Sequence, residues 1–183
     1  LAIKTFGDIT MTGATPTLTI GDAGAEDAKI VFDGNAQDFH IGLDDTDDDL
    51  VIGVGSALGT TTAISVTEDA LVTIEDNIIV SGRASGHVTT DNDGNFDLAV
   101  GNDFKCTTAG GLTLTFTNPA AGQSGNVMFI NGSNHAIAAH ASVAINATAL
   151  AAIAATGTYH LAYYCSAASG NNTILVSASA ILT

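Results

Sequence analysis

The sequence is poor in the residues that build bulky cores and in positive charge. Its 183 residues include no Trp, only 5% aromatic residues, two Pro and four Lys or Arg. Since 46% of the chain is apolar, mostly Ala, Ile, Leu and Val, it can still bury a core. The scarcity of large rings favours thin, repetitive layers over one bulky core. Twenty Gly and abundant Thr indicate short strands joined by tight turns rather than long helices.

The charge is strongly negative and unevenly distributed. A formal net charge of −15 excludes binding to nucleic acid or to an anionic membrane surface, because both depend on clustered cations. All 19 Asp and Glu residues lie between Asp8 and Asp103, whereas the stretch from Phe104 onward carries one formal charge, Lys105. This change predicts two domains: an acidic, repetitive β region at residues 1–90, serving as a shaft or attachment, and an uncharged head at residues 91–183.

Apolar residues alternate along both halves of the chain, as they do in strands. In the first half, strand-like stretches cover residues 18–20, 30–32, 39–41, 50–52, 63–66, 71–74 and 78–80, several of them followed by Gly. In the second half they cover residues 96–100, 112–116, 127–130, 159–165 and 173–176. The pattern predicts an all-β fold, with an elongated N-terminal region of strand-turn repeats and a C-terminal β-sandwich of jelly-roll type.

The Ala-rich stretch at residues 136–156 is the one candidate for a membrane span. Ala is weakly hydrophobic, and His140, Ser142 and Asn146 interrupt the stretch, so it is not a transmembrane helix. We expect instead a short helix over residues 147–155, with Asn146 as its N-cap and Gly157 ending it.

The acidic turn DDTDDD, residues 44–49, raises the question of a calcium site. Carboxylates are suitable ligands for Ca²⁺, but the turn lacks the Gly at the sixth position and the distal Glu of an EF-hand loop. A solvated, self-repelling tip that keeps strands from pairing edge to edge with other molecules fits better. The DNDGN stretch at residues 91–95 is interpreted as a turn leading into the Phe96 strand, without a metal.

No pattern of catalytic residues emerges. The histidines form no HExxH motif, and those on alternating strands, His40 and His160, are expected to face solvent. GQSGN at 122–126 departs from the nucleophile elbow, GVGSALG at 53–59 misses GxGxxG, and no carboxylate side chain follows Asp103. We therefore predict no enzyme, no cofactor and no catalytic, cofactor-binding or metal-binding residue.

Two cysteines remain, Cys106 and Cys165, at a spacing that matches no metal motif. Both lie in strand-like stretches of the second half, where they can be buried neighbours. Reduced core cysteines are favoured over a disulfide, because a well-packed chain of this size needs no covalent crosslink, but the disulfide stays open.

Three segments carry a family resemblance. GDAGAEDAKIVFDGNAQDFHIGLDDTDDDLVIGVGS at residues 21–56, LTLTFTNPAAGQSGNVMFINGS at 112–133 and GTYHLAYYC at 157–165 resemble tail-fibre and other virion structural proteins of marine tailed phages, including those that infect cyanobacteria. The resemblance implies a non-enzymatic, β-rich virion appendage, usually a homotrimer, with a slender N-terminal part and a compact C-terminal head. It supplies no catalytic residues.

These observations lead to a main hypothesis and two alternatives. The main hypothesis is a trimeric tail fibre, head fibre or capsid-decorating protein of the virion, which is assembled in the host cytoplasm. Its N-terminal part would bind other virion proteins, and it would contact a glycan or protein of the host surface. The first alternative is a calcium-dependent β-rich binding module of a secreted bacterial adhesin. The second, a cell-surface hydrolase, would require a pocket that gathers Asp or Glu with His.

Overall fold

A computed structural model describes residues 7–182, and the chain divides into two units between Ser81 and Gly82. The division lies ahead of Val88–Thr90, so this strand belongs to the second unit and not to the acidic region predicted at residues 1–90. Strands dominate both units, which confirms the all-β prediction. The elements are β1 (Ala28–Phe32), β2 (Phe39–Asp44), β3 (Asp49–Val54), β4 (Thr62–Val66), β5 (Val72–Ile74), β6 (Val88–Thr90), β7 (Asn95–Asp97), β8 (Asp103–Thr108), β9 (Leu112–Thr117), β10 (Ser124–Asn131), β11 (Ile137–Ala139), β12 (Val143–Ile145), α1 (Ala147–Ile153), β13 (Gly157–Cys165) and β14 (Ile174–Ala178).

The first unit contains a five-stranded sheet in the order β1-β2-β3-β4-β5. Every neighbouring pair is antiparallel, so the chain forms a simple meander of hairpins. The acidic turn closes the β2–β3 hairpin directly beyond the Asp44–Asp49 pair, and Asp48 takes the left-handed conformation (φ 56°) that turns of this kind need. Residues 45–48 form the tip of this hairpin, but Asp44 belongs to β2 and is buried, so it is not part of the predicted solvated tip.

Two predicted strands of the first half are not strands in the structure. Residues 18–20 and 78–80 have the alternating pattern but lie in no strand, with Leu18 and Ile79 largely exposed. A strand requires a neighbouring backbone to hydrogen-bond with, and the pattern of side chains alone does not supply one.

The second unit consists of two sheets that enclose one apolar core. The larger has six strands in the order β12-β14-β13-β10-β8-β6, and the smaller has three in the order β11-β9-β7. From β6 to β11 successive strands alternate between the two sheets, and neighbours within each sheet are parallel. The chain therefore winds like a β-solenoid, and each turn adds one strand to each sheet.

The jelly-roll prediction is wrong in its connections, although the two facing sheets of a sandwich are present. A jelly roll is built from antiparallel Greek keys. Here the short links after β6, β8 and β10 carry the chain across to the other sheet, so sheet neighbours are every second strand and run parallel. Antiparallel pairing begins when β13 returns beside β10 and β14 returns beside β13.

Aromatic rings join the two sheets of the second unit. Phe96 and Phe116 of the smaller sheet pack 5.2 Å apart, and Phe96 also lies 5.3 Å from Phe104 of the larger sheet. Phe116 continues the chain of contacts to Tyr163 at 5.0 Å. These tilted contacts at about 5 Å lie in the range that stabilises aromatic pairs. Six of the ten rings of this sequence lie in this core: Phe96, Phe104, Phe116, Phe129, Tyr159 and Tyr163.

The single described helix, α1, follows the sequence prediction closely. Its N-cap Asn146 accepts a hydrogen bond from the Thr148 N–H at 2.8 Å, and its last residue, Ile153, is fully buried. The helix ends at Ile153 with Ala154 as its C-cap, earlier than the predicted end at Gly157, which already begins β13. Within residues 7–182, no helix has the length and apolarity to cross a membrane.

Replacing Phe96 by Ala tests this core. Phe96 is fully buried and contacts rings of both sheets, so we expect Phe96→Ala to lower the free energy of unfolding of the second unit by about 3–5 kcal/mol. Urea denaturation followed by circular dichroism measures the change. Val100→Ala is the matched control, because Val100 is 58% exposed and should lose less than about 0.5 kcal/mol. Equal effects of the two changes would contradict the described core.

Candidate functional surface

The five-stranded sheet carries a ladder of isoleucines across its whole width. Ile30 of β1 pairs with Ile41 of β2, Ile41 with Ile52 of β3, Ile52 with Ile64 of β4, and Ile64 with Ile74 of β5. Residues directly opposite each other in a sheet point to the same face. One isoleucine from every strand therefore lies in a single row.

The rows beside this ladder are apolar as well. The row toward the acidic turn contains Ala28, Leu43, Leu50, Val66 and Val72, and the row on the other side contains Phe32, Phe39 and Val54. Together with the isoleucines, these residues form what we call the ladder face. It contains no charged side chain and no side-chain hydrogen-bonding group.

The ladder face is open to solvent in the single chain. Ile30, Ile52 and Ile74 are each 40% exposed, and Phe32 is 59% exposed. At such exposures the ladder face leaves several hundred Å² of apolar surface open, on the order of the ~300–600 Å² of the largest apolar patch on a typical monomer. Patches of this size usually mark a site of interaction.

The opposite face of the same sheet is built mostly from small and polar residues, with Val31 of β1 and the buried Val51 of β3 among them. His40, Gly42 and Asp44 of β2 point to this side, next to Gly53 of β3, and Ser65 of β4 shares it. In contrast to the ladder face, the centre of this face is buried, with His40 at 1% and Ser65 at 8% exposure.

The loop between β3 and β4, residues 55–61, covers this polar face. Its Gly55 carbonyl lies 2.9 Å from His40 Nδ1, and its Ser56 carbonyl accepts a hydrogen bond of 2.7 Å from Lys29 Nζ. Gly59 adopts φ +72° and leaves no room for a side chain, because a Cβ there would lie 2.6 Å from Asp44 Oδ2. The loop is thus held against the sheet at three points.

The expectation that His40 faces solvent is wrong. Because the Gly55 carbonyl can only accept, Nδ1 carries the proton that makes their hydrogen bond. Within the described chain, Nε2 is buried without a hydrogen-bond partner. The ring lies over Gly53, where a Cβ would come within 2.6 Å of it, so the glycine makes room for the histidine. Sequence alternation alone could not reveal that a loop covers this side.

The sheet therefore inverts the usual arrangement. An antiparallel sheet with one solvated face normally packs its apolar side on a core and turns its polar side to water. Here the chain covers the polar side with its own loop and leaves the ladder face uncovered. The sequence contained the signal, alternating Ile, Leu and Val at strand spacing, but the shared face became visible only once the register was known.

The acidic turn does not gather its carboxylates around one point. Asp44 is largely buried, and its Oδ1 accepts a hydrogen bond from the Thr46 N–H at 3.2 Å. The Asp45 N–H in turn donates to Asp27 Oδ1 at 3.2 Å. Across residues 7–182, no group of three or more His, Cys, Asp or Glu side chains is placed to hold a metal ion.

Residues 91–95 form the predicted turn into β7. Their side chains satisfy backbone N–H groups: Asp91 Oδ1 accepts from Asp93, Asp93 Oδ1 accepts from Asn95, and Asn92 Oδ1 accepts from Thr107. Burial raises the pKa of the Asp91 carboxyl above its ordinary value, and its interaction with Asp93 adds to this effect. Hydrogen bonds from backbone N–H groups to these side chains hold the turn in place.

Three other histidines make ordinary side-chain contacts. His160 is exposed, as predicted, and its Nε2 lies 2.9 Å from Asn126 Oδ1. His135 Nδ1 lies 2.8 Å from Thr108 Oγ1, and His140 Nδ1 lies 2.9 Å from Ser142 Oγ. Ser142 is half-buried in the turn ahead of β12, and among residues 7–182 no carboxylate makes a hydrogen bond with His140. The arrangement lacks the third member of a triad.

Cys106 and Cys165 are both buried and both free, and they are not neighbours. Cys106 lies opposite Phe129, which lies opposite Tyr159 of β13. Cys165 is at the other end of that strand, roughly 20 Å from Tyr159 at about 3.3 Å per residue, whereas a disulfide requires Cα atoms within about 7 Å. Burial, with smaller contributions from Asp91 and Asp93, raises the pKa of the Cys106 thiol to about 11.

Comparison of the chain with protein-family models, with curated proteins and with solved structures finds no match. The resemblance to virion proteins therefore remains a matter of the sequence segments quoted above. The open ladder face is therefore the feature on which the proposed function rests.

Calcium should have no effect on thermal stability. Because the carboxylates of the acidic turn do not converge, we expect about 1 mM CaCl₂, a concentration that fills extracellular calcium modules, to leave the melting temperature unchanged. Asp47→Asn serves as a comparison, because removing one of several like charges should leave the melting temperature equal or slightly higher. A rise of several degrees with Ca²⁺ that a chelator reverses would favour the calcium-dependent adhesin instead.

The two thiols should be inert in the folded protein. We expect no reaction of Cys106 or Cys165 with a thiol reagent under native conditions and reaction of both in denaturant, because each is buried and a raised pKa suppresses the reactive thiolate. Spectrophotometric titration with a chromogenic disulfide measures this. A reducing agent should leave the melting temperature unchanged, whereas a loss of stability on reduction would indicate a bond between them.

Proposed function

We propose that this chain is a non-enzymatic structural protein of a phage virion, a tail fibre, head fibre or capsid-decorating protein, which assembles as a homotrimer. The observation that carries the proposal is the open ladder face of the first unit. A structural protein that works as an assembly has a reason to keep such a surface, because association buries it.

A trimer accounts for the exposed apolar surface without any further component. Three identical sheets turned toward a common axis bury their ladder faces together, as the sheets of a sandwich do within one chain. The side of each sheet that is already closed by the loop at residues 55–61 then faces outward. Both faces of the sheet would thereby be covered.

The distribution of charge supports a division of labour between the units. Carboxylates are concentrated in the first unit, whereas the second has almost no charge after Asp103. We assign contacts with other virion proteins to the N-terminal part and contact with a glycan or protein of the host surface to the remainder. The sequence resemblance is the source of this assignment to a virion.

Native mass spectrometry of the full chain tests the assembly. We expect a main species of about 55 kDa, three times the 18.3 kDa of one chain, at micromolar concentration. Analytical ultracentrifugation should give the same stoichiometry in solution. A stable 18.3 kDa monomer at that concentration would overturn the proposal.

A further inference from the structure

We propose that the ladder face is a homotypic interface, in which the isoleucine ladder of one copy packs against the ladders of its mates. This inference rests on the proposed function, since it assumes that copies of the chain associate. It goes further by naming the register of the contact and the residues at its centre.

The chemistry of the ladder face restricts what can cover it. The face has no charge and no side-chain donor or acceptor, so a partner gains contact area but no polar pairing at its centre. The partner surface must itself be flat, apolar and regular. Another ladder face meets each of these conditions.

The area also suits a stable interface. The exposed surface of the ladder face, several hundred Å² from the exposures of its side chains, is of the same order as the ~800 Å² that each partner buries in a standard protein interface. Strands lie about 4.8 Å apart in a sheet, so rows of isoleucine recur at the same spacing in both copies and can interdigitate. Ile52 lies in the central strand and in the central row, at the middle of the contact.

The acidic residues lie outside this contact. Asp33 and Asp38 flank the β1–β2 turn at one end of the sheet, and Asp45 and Asp47 lie in the turn at the other end. A partner seated on the ladder face is therefore selected by its apolar surface and not by charge. When copies align, however, their acidic ends approach one another and repel.

This repulsion gives the interface a salt dependence of known sign. We expect the assembly to be tighter at about 1 M salt, where the Debye length is ~3 Å, than at about 0.01 M, where it is ~30 Å. A basic partner protein attracted to the acidic ends would respond in the opposite direction. The salt response thus separates a second copy from a partner of opposite charge.

Adjacent residues of β1 provide matched variants. Ile30 belongs to the ladder face and is 40% exposed, whereas Val31 points to the opposite face and is 37% exposed. We expect Ile30→Asp to reduce the assembly to 18.3 kDa monomers and Val31→Asp to leave its mass unchanged. Circular dichroism establishes that each variant keeps its strands.

A crosslinking experiment tests the register without depending on a destabilised variant. Since Ile52 lies at the centre, Ile52→Cys should be joined to its own counterpart by a short bifunctional thiol reagent, giving dimers on a denaturing gel. Val31→Cys should give none, and the buried Cys106 and Cys165 should not contribute.

The outcomes separate this inference from the proposed function. An assembled wild type that survives Ile30→Asp, or that gives no crosslink at position 52, overturns the homotypic interface and leaves the structural assembly standing. A monomeric wild type overturns both. Loss of mass with Ile30→Asp alone, together with the position-52 crosslink, establishes the ladder face as the interface.

Discussion

Side chains alternate between the two faces of a β-strand, and the hairpins of the first unit hold its strands in register. Together these two constraints decide which side chains the first unit exposes to solvent. Because each strand of the meander is aligned with the next, a pattern that places Ile at alternate positions becomes one continuous apolar face. A shift of one residue in the β2–β3 pairing would move Ile52 to the polar side and Gly53 to the ladder face. The packing of the loop at residues 55–61 onto that polar side therefore also protects the register, since His40 and Asp44 fit only where glycines leave room.

The two units bury their apolar side chains in different ways. The second unit closes two sheets over Phe96, Phe104, Phe116 and Tyr163 and needs no outside surface for its core. In the first unit the structure describes a single sheet, whose polar side contacts the loop at residues 55–61. Its large apolar side chains remain at the surface, which is the arrangement expected of a protein whose interior is completed by association.

Sequence reasoning found most strands because alternation of Ile, Leu and Val is a local signal, and it placed the α1 helix from the N-cap Asn146 and the Ala-rich run that follows it. It failed where the outcome depends on pairing. The stretches at 18–20 and 78–80 alternate but have no strand partner, whereas β11 lies in the Ala-rich stretch and is a strand because its backbone pairs with β9. Likewise, no local signal tells a sandwich of antiparallel hairpins from a chain that winds between two sheets. The ladder face was hidden for the same reason, since Ile41 and Ile52 share a row only through the register of the acidic hairpin.

Winding in the second unit also bears on how such a chain can vary in length. Each circuit from one sheet to the other repeats the same connection, as β6 to β7 is repeated by β8 to β9 and by β10 to β11. Duplicating or deleting one circuit preserves the pairing of all the others, because each strand of a circuit pairs in parallel with the corresponding strand of the next circuit. Insertion or deletion of a whole circuit therefore changes the length of the second unit by one circuit at a time, and its first and last strands keep their pairing partners.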